Sequence, residues 1–165
     1  MGTGEKLADA QGAPARRQPP LMGTLLRIPY SALGEAVERG LREAGHAGIS
    51  RAHLTVLQPL FMRPEGARLT DLAAWAHITK PSMTYLVNHL EAQGYVERAA
   101  DPADGRAQRV RLTERGLAAV QTIRAVVLET EAEWAGRIGP ERLEQLRGIL
   151  CELAVVVRGD DAEPW

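Results

Sequence analysis

The stretch ITKPSMTYLVNHLEAQGYVERAADPADGRAQRVRLTERG, residues 78–116, predicts a helix, a β-hairpin and the start of a second helix. Thr79 is a suitable N-cap, Pro81 lies in the first turn, and Gly94 is placed to end the first helix. Two short runs of strand-forming residues then flank DPADG, whose Asp, Pro and Gly residues are typical of a turn. We therefore take this helix and hairpin as the central unit of the chain.

The helix predicted over residues 80–93 has two faces of different chemistry. Its buried side is predicted by an apolar stripe at helical spacing that contains Met83, Leu86, Val87 and Leu90. The opposite face carries short or planar hydrogen-bonding groups, not the Lys and Glu of an ordinary solvated helix: Pro81, Ser82, Thr84, Tyr85, Asn88 and His89. Such a helix can enter the DNA major groove and present side chains to base edges.

The hairpin concentrates arginine although the chain has a formal net charge of −1. Arginine on a ribbon beside a DNA-reading helix can neutralise phosphates or enter a narrow minor groove. In the strand QRVRL, side chains at positions 109 and 111 point to one face and those at 110 and 112 to the other. This pattern favours a wing that contacts DNA. The alternative is a surface hairpin whose arginines only keep it solvated.

Helical patterns continue on both sides of this unit. Upstream, we predict a helix between Pro29 and Gly45, a second helix from Ser50 that Pro59 kinks or shortens, and a short third helix capped by Thr70. Downstream, a long helix and a final helix follow. The order of elements predicts a mainly α (α+β) fold: a winged helix-turn-helix with a small β-hairpin wing and flanking helices.

Composition limits the class of protein. The chain has 165 residues, of which 45% are hydrophobic and 25% charged, as in an ordinary globular protein. No apolar run is as long as a membrane helix, and residues 1–20 have no apolar core of the signal-peptide kind, so we expect a cytoplasmic protein. Residues 51–115 hold nine Lys/Arg against seven Asp/Glu, and residues 116–165 hold five against nine. This gradient is compatible with a polyanion-facing middle segment, and it is also common on solvated surfaces.

Residues 68–116, RLTDLAAWAHITKPSMTYLVNHLEAQGYVERAADPADGRAQRVRLTERG, closely resemble the DNA-binding core of the MarR family of bacterial transcription regulators. The match is densest in LEAQGYVER, DPADGR and VRLTERG, and the helix order extends it to about residues 25–157. The resemblance implies a homodimer, interleaved through the first and the last two helices. It also implies a palindromic double-stranded DNA operator, read by two copies of the helix over residues 80–93.

The resemblance divides the chain into five segments. We expect a disordered tail over residues 1–24, a dimerisation helix over 25–48, a winged helix-turn-helix domain over 49–113, dimerisation helices over 114–157 and a C-terminal tail over 158–165. The protein is then a transcription regulator, most simply a repressor, in the bacterial cytoplasm and on the nucleoid when bound to DNA.

The same resemblance suggests roles for wing residues. Asp104 and Arg106 match a family pair in which the carboxylate holds an arginine that enters the minor groove, although Asp104 can also be a simple turn residue. Arg109 and Arg111 are further candidates for phosphate contacts. Position 105, where a second basic residue is common in the family, holds Gly105, so phosphate attraction should be weaker than in more basic relatives.

Other positions depart from the family pattern. Tyr85 and His89 stand where arginine is frequent, so base preference cannot be transferred from relatives. His77 replaces a frequent glycine at the turn between two helices, where the backbone can require a left-handed conformation that His tolerates poorly. These departures motivate the alternative that the chain is a winged-helix module for protein contacts that has lost DNA binding.

A pocket for small aromatic or phenolic effectors lies between the dimerisation and DNA-binding parts in this family. Tyr30 and His53 are candidates for lining it, and core or interface roles are equally compatible with the sequence. We expect Cys151, the only cysteine, to be a small buried hydrophobe, and Trp75 to be partly packed.

The sequence contains no motif of an enzyme. It has no Ser/His/Asp pattern, no metal-spaced His and Glu set and no phosphate-binding Gly loop. We therefore expect no catalytic residues, no metal and no cofactor.

Overall fold

The structure of the protein, a computed structural model, describes residues 19–102 and 104–158, without the side chains of residues 105, 106 and 158. The helices of this part are α1 (Met22–Glu43), α2 (Leu54–Met62), α3 (Leu69–Trp75), α4 (Lys80–Ala92), α5 (Glu114–Ile138) and α6 (Pro140–Arg158), and a short 3₁₀ turn spans Arg51–His53. The strands are β1 (Ala67–Arg68), β2 (Val96–Asp101) and β3 (Asp104–Leu112). The predicted mainly α fold with a small antiparallel sheet is confirmed.

The three strands form one antiparallel sheet in the order β1-β3-β2. Val96 is opposite Leu112 where β2 and β3 begin to pair, and Ala67 of β1 is opposite Val110. The register shifts between Ala100 and Asp101, close to the tip of the hairpin. The long β3 strand therefore joins the wing to the segment that leads into α3.

The core lies where α1, α2, α3 and α4 meet the sheet. Its side chains that are at most 2% exposed and apolar include Val37, Leu41, Val56, Leu57, Leu60, Leu72, Met83, Val87, Leu90, Tyr95, Val96 and Val110. Complete burial of such a side chain contributes about 1.5–3 kcal/mol to folding. The predicted buried stripe of α4 is confirmed, with Leu86 half-buried at its edge.

Glycines allow two close approaches around this core. A Cβ at Gly40 of α1 would collide with the side chain of Val126 of α5, so the missing side chain lets the two helices lie close together. A Cβ at Gly116 would collide with the carbonyl oxygen of Tyr95, which brings the first turn of α5 against the start of β2. The predicted N-cap of α5 is confirmed, because Thr113 Oγ1 accepts the backbone N–H of Gly116 at 3.1 Å.

Two element boundaries differ from the sequence prediction. Helix α1 begins at Met22, so the end of the tail predicted over residues 1–24 is helical, while residues 1–18 lie outside the described part. Pro29 is inside α1, where residues 21–30 are exposed and water can bind the carbonyl that Pro29 leaves unpaired. Helix α3 begins at Leu69 and not after Thr70, because Arg68, paired in β1, directly precedes the helix in extended conformation.

The hairpin turn also differs. Asp104 already belongs to β3, so the Asp-Gly pair lies in the strand and not in the turn. In contrast, the restart of the chain at Pro140, which opens α6, is as predicted. Helix α2 contains Pro59 and continues to Met62.

A buried carboxylate connects the three strands. The side chain of Asp101 in β2 is 0% exposed, Arg68 Nε of β1 donates to its Oδ2 at 2.7 Å, and Arg109 Nε of β3 lies 3.1 Å from its Oδ1. Each guanidinium compensates part of the cost of burying the carboxylate. The base of the wing is therefore fixed by these ion pairs as well as by the backbone hydrogen bonds between the strands.

We expect Asp101→Asn to destabilise the fold by about 2 kcal/mol, because removing one charge of a buried cluster leaves the others uncompensated and Arg68 is partly solvated. The urea midpoint at fixed protein concentration measures this loss. Arg111→Gln is the matched control: its ion pair with Glu97 on the same sheet is about half exposed and should contribute less than about 1 kcal/mol. Equal midpoints for the two variants would contradict a structural role for Asp101.

Candidate nucleic-acid interface

Helix α4 is placed by a capped start and a constrained turn. Thr79 Oγ1 accepts the backbone N–H of Ser82 at 3.3 Å, as predicted for an N-cap. The turn before it, between α3 and α4, contains His77 at φ 51°, the left-handed conformation expected at this position. After the helix, Gly94 at φ 73° turns the chain into β2. Both ends of α4 are thus fixed relative to the wing.

The outer face of α4 is largely accessible. Of the side chains predicted to face DNA, Pro81, Ser82, Tyr85 and Asn88 are exposed, and Tyr85 is 72% exposed. Thr84 is half-buried, and its hydroxyl donates to the carbonyl of Lys80 at 2.8 Å within the helix. Four of the six predicted side chains therefore share one open surface, with a large aromatic hydroxyl at its centre.

His89 departs from this surface. Its ring stacks on the ring of His53 with a centroid distance of 4.6 Å and an interplanar angle of 7°. Gln93 of the same helix places its Nε2 3.0 Å from His89 Nε2. The imidazole is half-buried against the 3₁₀ turn and not directed outward with Tyr85. His89 therefore links α4 to the 3₁₀ turn.

His53 is 6% exposed, and its ring is held by Ser50. The backbone N–H of Ser50 donates to His53 Nδ1 at 3.0 Å, and the Ser50 hydroxyl lies 3.0 Å from the same nitrogen. Burial lowers the pKa of His53, and the neighbouring His89 lowers the pKa further. A proton on His53 Nδ1 would break the hydrogen bond from the Ser50 N–H. The hydrogen-bond geometry and the lowered pKa therefore both favour an unprotonated Nδ1.

Arg98 is a residue whose position the sequence did not reveal. Its Nη2 donates to Asn88 Oδ1 at 2.7 Å, and its Nη1 donates to Glu91 Oε2. The guanidinium of a wing strand therefore lies along the outer side of α4. Hairpin geometry alone did not indicate this contact, because it depends on how the sheet packs against the helix.

The other wing residues divide into two groups. Arg109 is held by buried Asp101, and Arg111 Nε donates to Glu97 Oε1 at 2.7 Å, so both predicted phosphate contacts are already ion-paired. Asp104 is exposed at the start of β3. The side chain of Arg106 lies outside the described residues, and its pairing with Asp104 stays a prediction.

A cavity of about 1270 Å³ opens between α1, α2, α5 and the turn that precedes α4. Tyr30, predicted as a pocket residue, lines it and is 65% exposed. Half-buried Trp75 also lines it. His53 is not among the lining residues, because its ring is directed to α4 and packed on His89. The prediction for His53 is therefore corrected.

Three further observations concern this part of the chain. In the part of the chain that the structure describes, no three His, Cys, Asp or Glu residues are grouped to hold a metal ion. Cys151 is exposed on α6, not buried as expected, since the apolar side of α6 has little of this chain to pack against. Across residues 19–102 and 104–158, no helix has the length and apolarity needed to cross a bilayer.

Helices α3 and α4 with the β2–β3 hairpin define a winged helix-turn-helix protein, in which the outer face of α4 is the candidate reading surface. Residues 47–107 match the family model of the MarR family. This match and the structural neighbours show that the winged-helix part of the chain is similar to the MarR family of transcription regulators. That family consists of regulators and not of enzymes, in agreement with the sequence prediction.

Similar solved structures carry the same fold over most of their length. A MarR-family regulator from Rhodococcus sp. RHA1 is 25% identical, with 81% of this chain and 93% of that chain covered and a TM-score of 0.65. The regulator Tm0710 from Thermotoga maritima is 26% identical, with 82% and 93% covered and a TM-score of 0.58.

A third similar protein has been solved with two different partners. The repressor CouR bound to a 23-mer DNA duplex is 23% identical, with 81% of this chain and 92% of that chain covered and a TM-score of 0.67. CouR from Rhodococcus jostii RHA1 bound to p-coumaroyl-CoA is 24% identical, with 87% and 95% covered and a TM-score of 0.65. At these identities, the two CouR structures establish a shared fold with this chain.

The lowered pKa of His53 gives a pH dependence with a defined sign. Because the folded state binds this proton less well than the unfolded state, stability is complete above about pH 6.5 and falls as the pH drops below that value. Burial and Arg115 lower the pKa of His46, which acts in the same direction. We expect His53→Gln and His46→Gln each to reduce the dependence of the free energy of unfolding on pH. Urea unfolding at a series of pH values measures this dependence.

The double variant His46→Gln/His53→Gln should lose most of the dependence between about pH 7.5 and 5.5 that these rings cause. An unchanged slope in His53→Gln would show that the buried ring is not a source of the pH effect.

Proposed function

We propose that this chain is a homodimeric DNA-binding transcription regulator, acting as a repressor on a palindromic operator. The observation that carries the proposal is the open polar face of α4 beside the wing, in a winged-helix fold of the MarR family. Two copies of α4 would enter successive major grooves, about 34 Å apart, and the wings would lie along the flanking backbone. We expect such a regulator to act in the bacterial cytoplasm.

The reading surface would consist of Ser82, Tyr85 and Asn88, supplemented by Arg98. Positions 85 and 89 bring no arginine to α4, but the Arg98 guanidinium reaches Asn88 from β2. Since Arg98 occupies one acceptor direction of Asn88 Oδ1, the two Asn88 amide N–H groups are the natural donors to a base acceptor. In this arrangement the wing strand contributes both charge and orientation to the recognition helix.

Phosphate attraction would be modest. Arg109 and Arg111 each have an acidic partner within 3.1 Å, which reduces the positive potential they offer to DNA. Arg106 stays our candidate for the minor-groove contact, with Asp104 orienting it. Few neutralised phosphates predict a shallow dependence of affinity on salt concentration.

The proposed dimer is supported by apolar surface at both ends of the chain. At the start of α1, Leu21 is 82% and Ile28 56% exposed, and on α6, Ile149 is 60% and Val156 78% exposed. Such a concentration of exposed large apolar side chains is unusual for a monomer and typical of an interface. A second copy that covers α1 and α6 would bury both regions and Cys151 with them.

Release by a small aromatic or phenolic effector completes the proposal. The cavity that Tyr30 lines is placed between the helices assigned to dimerisation and the turn before α4. The two structures of CouR, one with DNA and one with p-coumaroyl-CoA, support a regulator of this type. An occupant that alters the separation of the two α4 helices would weaken operator binding.

Fluorescence anisotropy against the promoter region of the protein's own gene tests DNA binding. We expect binding that weakens as salt rises, and a loss of about tenfold in affinity for Arg106→Ala, equivalent to about 1.4 kcal/mol for one lost groove contact. Arg111→Ala is the matched control on the same strand; it should change affinity less, because Arg111 is already paired with Glu97.

Equal affinity of Arg106→Ala and the unmodified protein would remove Arg106 from the interface. Absence of any salt-sensitive binding would instead favour a winged-helix module for protein contacts.

Ile149→Glu/Val156→Glu tests the dimer. These side chains are seven residues apart on one side of α6, and two buried carboxylates would oppose association, so we expect the mass of one 18.0 kDa chain instead of two. Size-exclusion chromatography with light scattering gives the mass. Glu144→Gln, which changes a charge on the opposite side of the same helix, should leave the dimer intact. A dimer that persists in the double variant would exclude this face of α6.

A further inference from the structure

Arg98 extends from the wing strand β2 toward α4. It shares a face of β2 with Val96, which is 2% exposed and belongs to the core, because side chains two residues apart in a strand point the same way. The aliphatic stem of an arginine can lie along such an apolar surface while its charged head reaches polar groups. The Arg98 side chain is only 25% exposed. Its position is therefore set by how the sheet packs on the helix.

Two hydrogen bonds hold the Arg98 guanidinium on α4. Nη2 donates to Asn88 Oδ1 at 2.7 Å, and Nη1 donates to Glu91 Oε2. Asn88 and Glu91 are three residues apart in the helix, so they are neighbours on one side of it. The carboxylate of Glu91 compensates the positive charge and ties the planar guanidinium to the helix. Arg98 is thus in place to orient the amide of Asn88.

The contact from Arg98 decides which way the Asn88 amide faces. A guanidinium has five N–H donors and no acceptor, so it bonds the oxygen of the amide and not the nitrogen. With Oδ1 held toward β2, the two N–H groups on Nδ2 are directed away from that contact, and the Asn88 side chain is exposed. A hydrogen bond from a charged donor is stronger than one between neutral groups. The exposed amide therefore offers donors, while its oxygen is already engaged.

Purine bases differ in what they present to such a surface. In the major groove, guanine offers two acceptors, N7 and O6, whereas adenine offers the acceptor N7 and the amino donor on N6. An asparagine binds adenine bidentately when its oxygen accepts from that amino group and its nitrogen donates to N7. Here the oxygen already accepts from a cation, and the guanidinium beside it would meet the adenine amino group donor to donor. Guanine places acceptors opposite the donors.

We propose that Asn88, oriented by Arg98, reads guanine and not adenine in each half-site of the operator. In this assignment Asn88 touches the base, and Arg98 is a positioning residue that acts through Asn88. The inference deepens the proposed function, because it names the base that this part of α4 recognises, and it rests on that function.

Selection from a library of randomised DNA duplexes with the full-length protein identifies the preferred site. The same selection with Asn88→Ala identifies the base pair that Asn88 reads, because the preference at that pair is lost. We expect a G·C pair there in the sites selected by the unmodified protein. An A·T pair at that position, or no position that responds to Asn88→Ala, would overturn the proposal.

Two duplexes that differ only at this pair test the role of Arg98. By fluorescence anisotropy, the unmodified protein should bind the G·C duplex at least about tenfold more tightly than the A·T duplex. Arg98→Met keeps an apolar stem and removes every donor, so the Asn88 amide can turn and the ratio of affinities should fall close to one. A ratio that stays unchanged in Arg98→Met would refute the positioning role.

Arg111→Met is the matched control. Arg111 lies in the neighbouring strand and pairs with Glu97, which points to the opposite face of β2 from Arg98. This variant should keep the preference for the G·C duplex. Both duplexes are titrated into one protein sample, so partial unfolding of a variant lowers both apparent affinities equally and leaves their ratio unchanged. Loss of the preference in Arg111→Met as well would show a general effect of wing charge and refute the assignment.

Salt dependence separates orientation of Asn88 from a phosphate contact. An arginine that neutralises a phosphate contributes about one unit to the slope of log affinity against log salt concentration, whatever the base sequence. Arg98→Met should change the ratio of affinities and leave this slope nearly unchanged. A slope reduced by about one unit with the ratio retained would make Arg98 a backbone contact and overturn the proposal.

The outcomes also distinguish this inference from the proposed function. Salt-sensitive binding to selected duplexes without a preference for guanine at the Asn88 position would refute the inference and leave the DNA-binding regulator intact. Absence of salt-sensitive binding to any duplex in the library would overturn both.

Discussion

The buried carboxylate of Asp101 is the constraint on which the arrangement of the wing depends. It lies between Arg68 and Arg109, so one charge joins the strand that precedes α3 to both strands of the hairpin. Because the same sheet packs against α4, this cluster also fixes where Arg98 meets Asn88. The relation between recognition helix and wing therefore rests on an electrostatic contact in the interior and not on the exposed arginines.

Acidic partners explain how an arginine-rich hairpin occurs in a slightly acidic protein. Arg98, Arg109 and Arg111 have Glu91, Asp101 and Glu97 respectively as partners. Most of the positive charge that the sequence concentrates here is thus used to organise the protein. The potential available to DNA is smaller than a count of arginines suggests, and specificity would depend more on Tyr85, Asn88 and Arg98 than on general phosphate attraction.

The sequence was most informative where local rules are strong. Thr79, Gly94 and Thr113 cap or end helices as predicted, and the left-handed His77 was anticipated from its place in the turn. The sequence was less informative where a side chain has several possible partners. His89 has helical spacing suitable for DNA contact, yet it stacks on His53, because the packing of α4 against the 3₁₀ turn brings the two rings together.

The sequence by itself determined the order of helices and hairpin, the buried stripe of α4 and the resemblance to the MarR family. Those features follow from periodicity, capping and turn chemistry, which act between residues close in the chain. Only the tertiary structure decided that Arg109 pairs with Asp101, that Arg51 rests on Gly34 and that His53 is separated from the cavity. Such contacts join distant elements, and side-chain partners there depend on distances that a linear pattern does not contain.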